Sequence, residues 1–126
     1  MVMREAVRKL RADQLPEAEG TPGLNRRVAF EAHGHWFGHV EAEPETMSGW
    51  HHHGDNVTIG YVLKGKISLE FGRRGAGRGQ RGRVLQKVPR RLVHREGNMS
   101  TETGEIILAR VGEGPVVFPV EGPDPA

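Results

Sequence analysis

From residue 26 onward the 126-residue chain never sustains a helical period. Its apolar residues fall instead in short runs rich in Val, Ile, Phe and Tyr, separated by Gly and Pro, which is the pattern of strands joined by turns. The runs predict strands near Arg27–Glu31, His35–Glu41, Gly49–His53, Val57–Leu63, Lys66–Phe71, Val84–Val88, Val93–Arg95, Glu105–Val111 and Val116–Val120. So many short strands must close on themselves or stack as two sheets to protect their edges, so the expected fold class is an all-β barrel or sandwich. Val57–Leu63 and Lys66–Phe71 read as a hairpin turning at Lys64-Gly65. Before the strands, Met3, Ala6, Val7 and Leu10 recur at helical spacing opposite Arg4, Arg8, Lys9 and Arg11. That spacing predicts a short amphipathic N-terminal helix, ended by Pro16, Gly20, Pro22 and Gly23. The chain therefore divides into a helix and linker over 1–23, a barrel over 24–121 and a tail over 122–126.

A chain of this length supports one domain with its own core. It has no cysteine, which excludes thiol catalysis, disulfide scaffolds and Cys-based metal sites. No apolar run has the length of a membrane span, and the N-terminal residues lack a signal-peptide core. The expectation is a soluble, unexported protein in the cytoplasm, with no membrane partner.

Net charge is only +2, but it is unevenly spread. Arg73, Arg74, Arg78, Arg81, Arg83, Lys87, Arg90, Arg91 and Arg95 follow one another with no acid between them, while Glu41, Glu43 and Glu45 cluster elsewhere. The Gly/Arg run from Gly72 to Gly82 reads as a long basic turn between two strands. Its sharper reading is contact with phosphate, including nucleic acid. The run has no aromatic residue to stack on a base, which argues against that partner.

The chemistry-bearing pattern is histidine. Side chains alternate along a strand, so His51 and His53 share one face about ~7 Å apart at Cα, and His52 faces the other way. Two imidazoles so placed can bind one ion if a third ligand comes from another strand, and His94 is the candidate. Neutral imidazole suits divalent Fe, Zn, Ni or Mn. No Ser-His-Asp arrangement, P-loop or dinucleotide fingerprint is visible.

The segment Gly49-Trp50-His51-His52-His53-Gly54-Asp55-Asn56-Val57-Thr58, continuing to Gly65, resembles the first motif of the cupin superfamily. That motif has a His-x-His pair, a carboxylate a few residues on and a closing glycine, which here is Gly65. Pro89, His94 and Asn98 match the spacing of the second motif, and the resemblance covers roughly Asn25 to Pro119. It implies a jelly-roll barrel (double-stranded β-helix), a metal held inside by His51, His53 and His94, a small-molecule ligand or substrate, and a homodimer. Tyr61 and Trp50 are the candidates for the dimer surface. The chain departs from the motifs in three places. The usual glutamate position is Thr58, and the glycines of the second motif fall on Arg83 and Arg91. Loss of the glutamate implies a three-histidine centre, as in a subset of cupin-type oxygenases.

Three other residues bear on that centre. Asp55 keeps the parity of His51 and His53 and is a weaker ligand candidate, although Gly54-Asp55-Asn56 also reads as a turn. Glu96 shares the face of His94, where it serves as a ligand orienter, a base or a strand-end ion pair. Thr58 is placed to hydrogen-bond a metal-bound water. His33, His35 and His39 read as exposed or satisfied core histidines. Together these features point to a metal-binding cupin, either an oxygenase or isomerase acting on a small polar molecule or a non-catalytic binding or sensor module.

Overall fold

The computed structural model describes residues 6–18, 20–72, 75–77 and 82–123. It is built from strands β1 (Leu24–Ala32), β2 (His35–Ala42), β3 (Thr46–Met47), β4 (His51–His52), β5 (Val57–Lys64), β6 (Ser68–Phe71), β7 (Gly75–Gly77), β8 (Val84–Val88), β9 (His94–Asn98), β10 (Gly104–Val111) and β11 (Phe118–Pro119). They form two antiparallel sheets, one ordered β1-β2-β10-β5-β8 and the other β11-β4-β9-β6-β7, with β3 also paired to β9. Every run read as a strand overlaps one. The additions are β3 and the short β7, which lies inside the Gly/Arg run and pairs with β6. Arg73, Arg74, Arg78 and Arg81 lie outside the described residues.

Two local expectations change. Residues 6–11 are not helical; Val7 and Leu10 are exposed, and the only helical element near them is one 3-10 turn at Ala12–Gln14. Met3, where the apolar spacing starts, and Arg4 opposite it lie outside the described residues. An isolated helix of about ten residues is marginal without a surface for its apolar side chains, and Val7 and Leu10 are left in solvent. The chain instead runs along β1, with the Ala18 amide donating to the Arg26 carbonyl at 2.8 Å and the Val28 amide to the Pro16 carbonyl at 3.1 Å. The second change is at Lys64-Gly65. The flanking strands do not pair as a hairpin. β5 lies between β10 and β8, while β6 belongs to the opposite sheet beside β9. Gly65, at φ +72°, is where the chain crosses between sheets, and a Cβ there would sit 2.8 Å from the Gly104 backbone. Only glycine suits both conditions.

Alternation gives the barrel interior two halves. Leu24, Val40, Ala42, Val62, Ile67, Ile106 and Leu108 form the apolar core. Farther along the same inner face the residues become polar. Arg110 on β10 stands in register with Trp36 on β2 and Thr58 on β5. Opposite this row, His51 on β4 is in register with His94 on β9. The apolar half stabilises the fold and the polar half is left for chemistry. No helix among the described residues is long and apolar enough to cross a membrane.

Candidate metal centre

His51, His53, His94 and Glu96 each offer one ligand atom, and these atoms all lie within 4.8 Å of one another. That is close to the ~4 Å that two ligands of a single ion span when each bond is ~2.1 Å. The three imidazole centroids are 4.5 to 4.9 Å apart. All three histidines are buried, His53 and His94 to 1 % exposure. Strand parity brings His51 and His53 together, and register pairing adds His94 from the neighbouring strand.

Backbone carbonyls fix the orientation of each ring. Nδ1 of His51 lies 2.9 Å from the Gly49 carbonyl, that of His53 2.6 Å from Val116, and that of His94 2.8 Å from Leu92. A carbonyl only accepts, so each Nδ1 carries the proton and donates it. In the neutral ring the lone pair is then on Nε2, which turns inward. Nε2 of His53 and of His94 is buried with no hydrogen-bond partner. A buried acceptor left unmatched costs stability, and a transition-metal ion is the partner that such a set of nitrogens fits. Burial, reinforced by the nearby Arg110 charge, lowers the His53 pKa to about 3. Burial lowers that of His94 as well. Both rings are therefore neutral, as ligands must be, at ordinary pH.

Glu96 supplies the carboxylate that Thr58 does not. Its Oε1 is 3.7 Å from His51 Nε2. Burial acts to raise its pKa, but the closely packed His51, His94 and His53 rings outweigh that effect and hold it down to about 2. The carboxylate expected after the first His pair thus enters from β9, two residues beyond His94 and on the same face. The cluster that could hold an ion accordingly contains Glu96 beside the three histidines. The shared parity of His94 and Glu96 was the available signal, though it pointed equally to a base or an ion pair.

The remaining candidates separate clearly. Asp55 is not in the cluster; it sits on an exposed turn, and its Oδ1 accepts from Arg91 Nη2 at 2.6 Å and Nε at 2.9 Å. Its turn geometry, set by Gly54 at φ +58°, breaks the strand parity that would have aimed it inward. Thr58 is buried and its Oγ1 has no partner. His52 faces away and stacks on Phe118 at 4.8 Å. His39 pairs with Glu105 at 3.4 Å and His33 with Glu113 at 2.8 Å, so both are otherwise engaged. Asn98 is a structural staple, its amide donating to the carbonyls of Ala42 and Glu102.

Two hollows bear on the centre: the first is lined by Val116, whose carbonyl holds His53, and the second by His94 itself. One, of about 380 Å³, is lined by Arg26, Glu31, Trp36, Asn56, Arg110, Glu113 and Val116 among others. The other, of about 350 Å³, is lined by Leu69, Phe71, Lys87, Val88, Pro89, Leu92 and His94. The first has the polar wall expected of a site for a polar molecule. Its arginines, Arg26 and Arg110, gave no sign in the sequence, where each is one Arg among many.

The two-sheet architecture is the double-stranded β-helix, the fold that cupins share. Solved structures agree. The polyketide cyclase RemF from Streptomyces resistomycificus superposes with a TM-score of 0.77 at 17% identity, over 94% of this chain and 89% of that one. A Klebsiella pneumoniae protein with a double-stranded beta-helix domain gives 0.74 at 14% identity, over 93% and 100%. Oxalate decarboxylase OxdC of Bacillus subtilis gives 0.69 at 17% identity, over 88% of this chain but 31% of that one. Neither a family model nor a curated protein sequence matches the chain.

Proposed function

We propose that the protein is a metal-dependent cupin that takes a small polar molecule into the polar-walled cavity and acts on it at an ion held by His51, His53, His94 and Glu96. One observation carries the reading: two buried, unpartnered Nε2 atoms are aimed at a common point by carbonyls that lock their tautomers. Three nitrogens and one carboxylate oxygen suit Fe, Zn, Ni or Mn. Such an ion, when bound, supplies Lewis acidity to whatever shares its open positions. The chain's own groups do the rest. Glu96 offsets one of the ion's two charges, and the free Thr58 hydroxyl can hold a ligand or water oxygen beside it. Oxygenation and isomerisation both fit this arrangement, and the fold also hosts proteins named as a cyclase and a decarboxylase. Elemental analysis of protein purified without a histidine-affinity step tests the reading. About one transition metal per chain is expected. Protein that carries none and takes up none of the four ions would overturn it.

We also propose a homodimer formed through the outer face of the five-stranded sheet. Phe37, Ile59, Tyr61, Leu63 and Leu85 are exposed there, Leu85 to 76 %. Register makes them one patch: Leu85 lies beside Tyr61, Tyr61 beside Ile107, and Ala109 between Ile59 and Phe37. A two-fold axis through such a surface buries it against itself. Trp50 is elsewhere, under the Arg95 guanidinium at 4.9 Å. Leu85→Glu is expected to halve the mass measured by light scattering while metal content stays unchanged. A wild-type monomer at micromolar concentration would refute the dimer.

A further inference from the structure

Arg26 and Arg110 project into the barrel from β1 and β10 and are only 7 % and 4 % exposed. Neither has an ion-pair partner among the described residues. Nε of Arg26, and Nε and Nη2 of Arg110, are buried donors with nothing to bond. Both side chains line the cavity of about 380 Å³. The guanidinium of Arg110 lies 5.5 Å from the centroid of the Trp36 ring, which lines the same cavity. Each arginine feels the other or the carboxylate of Glu96, and the Arg110 charge reaches both His53 and His94. The cavity is therefore continuous in its field with the histidine centre.

A protein interior does not ordinarily keep two adjacent guanidinium groups without an anion, because each loses its hydration and they repel. Among the described residues the carboxylate whose charge reaches them is the largely buried Glu96, and it lies 3.7 Å from His51. Glu31 and Glu113 stand at the exposed rim of the cavity, so the inner groups Arg26, Arg110 and Glu96 by themselves leave one uncompensated positive charge, which a divalent ion would increase. We infer that Arg26 and Arg110 anchor the carboxylate of an organic acid that enters beside Trp36, with the remainder of the molecule directed at the centre. This rests on the proposed metal site for what happens to the ligand, but not for its binding. A planar, singly charged carboxylate matches the guanidinium fork. Glu31 and Glu113 also line the cavity, and they penalise a doubly charged phosphate more than a carboxylate.

The test is a chemical-shift titration followed at the Trp36 indole N–H, first on metal-free and then on metal-loaded protein. The probes are lactate, its neutral near-isostere lactamide and inorganic phosphate. Lactate is expected to bind metal-free protein at least about tenfold more tightly than lactamide, the scale of a charge-assisted hydrogen bond. Arg26→Met and Arg110→Met should each lose at least about that factor for lactate and leave lactamide unaffected, with Arg→Lys recovering part of it. Wild-type protein that shows no preference for lactate, Met variants that keep it, or phosphate binding as tightly as lactate would each overturn the inference. Should a Met variant not fold, the wild-type comparison and the Lys variants decide. A protein that prefers lactate yet takes up no metal would refute the metal reading alone; one that loads metal and shows no preference would refute this one alone.

Discussion

His53→Ala is expected to weaken transition-metal binding by at least about a hundredfold, measured by competition with a chelating dye. A structural zinc site with four ligands releases roughly 10–16 kcal/mol, so one ligand accounts for about 3 kcal/mol, or about a hundredfold. His53 is the informative position because its Nε2 has no other employment. In the metal-free protein no interaction of that nitrogen is lost. The Val116 carbonyl that holds Nδ1 is also freed, so a modest stability loss of about 1–3 kcal/mol should accompany the change. His52→Ala is the matched control: the neighbouring imidazole stacks on Phe118 outside the cluster, and its removal should leave affinity within about twofold. Glu96→Gln keeps the shape and one oxygen but removes the charge, so a smaller loss of about tenfold is expected. Equal affinities for His53→Ala and wild type would remove His53 from the centre and, with it, the proposed function.

The contrast between His53 and Glu96 shows what a sequence of this kind discloses. The His51/His53 pair was legible because strand alternation is a local rule, and two residues suffice to apply it. His94 required the second motif, since register between distant strands is not written in either strand alone. Glu96 had the right parity but no pattern to name its role; only the closure of two sheets brings it to His51. Arg83 and Arg91 show a different limit. They occupy positions where the motif has glycine, yet both keep positive φ, 53° and 59°. At Arg91 the turn is pinned from outside, its amide donating to the Gly54 carbonyl at 2.9 Å and its guanidinium pairing with Asp55. A left-handed non-glycine residue costs about 1 kcal/mol, which the surroundings offset. Lys64-Gly65 shows that a turn signal gives direction and not pairing, because a chain that reverses can join its own sheet or the opposite one. The helical spacing does not carry residues 6–11 into a helix, where Val7 and Leu10 have no surface to receive them. Arg26 and Arg110 were invisible because nothing local separates an inward arginine from the many outward ones.

Stability of the metal-free protein is expected to fall as pH drops below about 6.5, by about 2 kcal/mol between pH 7.5 and 5 from His53 alone. The sign follows from where the protons go. In the unfolded chain His53 takes up a proton near its ordinary pKa of 6.5, whereas in the barrel burial holds that pKa down to about 3. Between those values the unfolded state binds more protons, so acid favours unfolding, and the stabilisation present above pH 6.5 is lost progressively toward pH 3. His94 acts in the same direction. Glu96 extends the trend: its pKa is held down to about 2 from 4.5, so its contribution is intact above 4.5 and disappears as pH falls through 2. All three groups weaken the fold in acid, and none compensates. Urea unfolding midpoints at pH 7.5, 6 and 5, with chelator present, measure the slope, and His53→Gln should flatten it by removing the titrating ring. Saturating zinc should raise stability at pH 7.5 and lose that gain toward pH 5, because an ion bound to Nε2 competes directly with the proton. A midpoint independent of pH over this range, in wild type and His53→Gln alike, would mean that His53 is neither buried nor neutral in solution, and the inward lone pairs on which the centre depends would not exist.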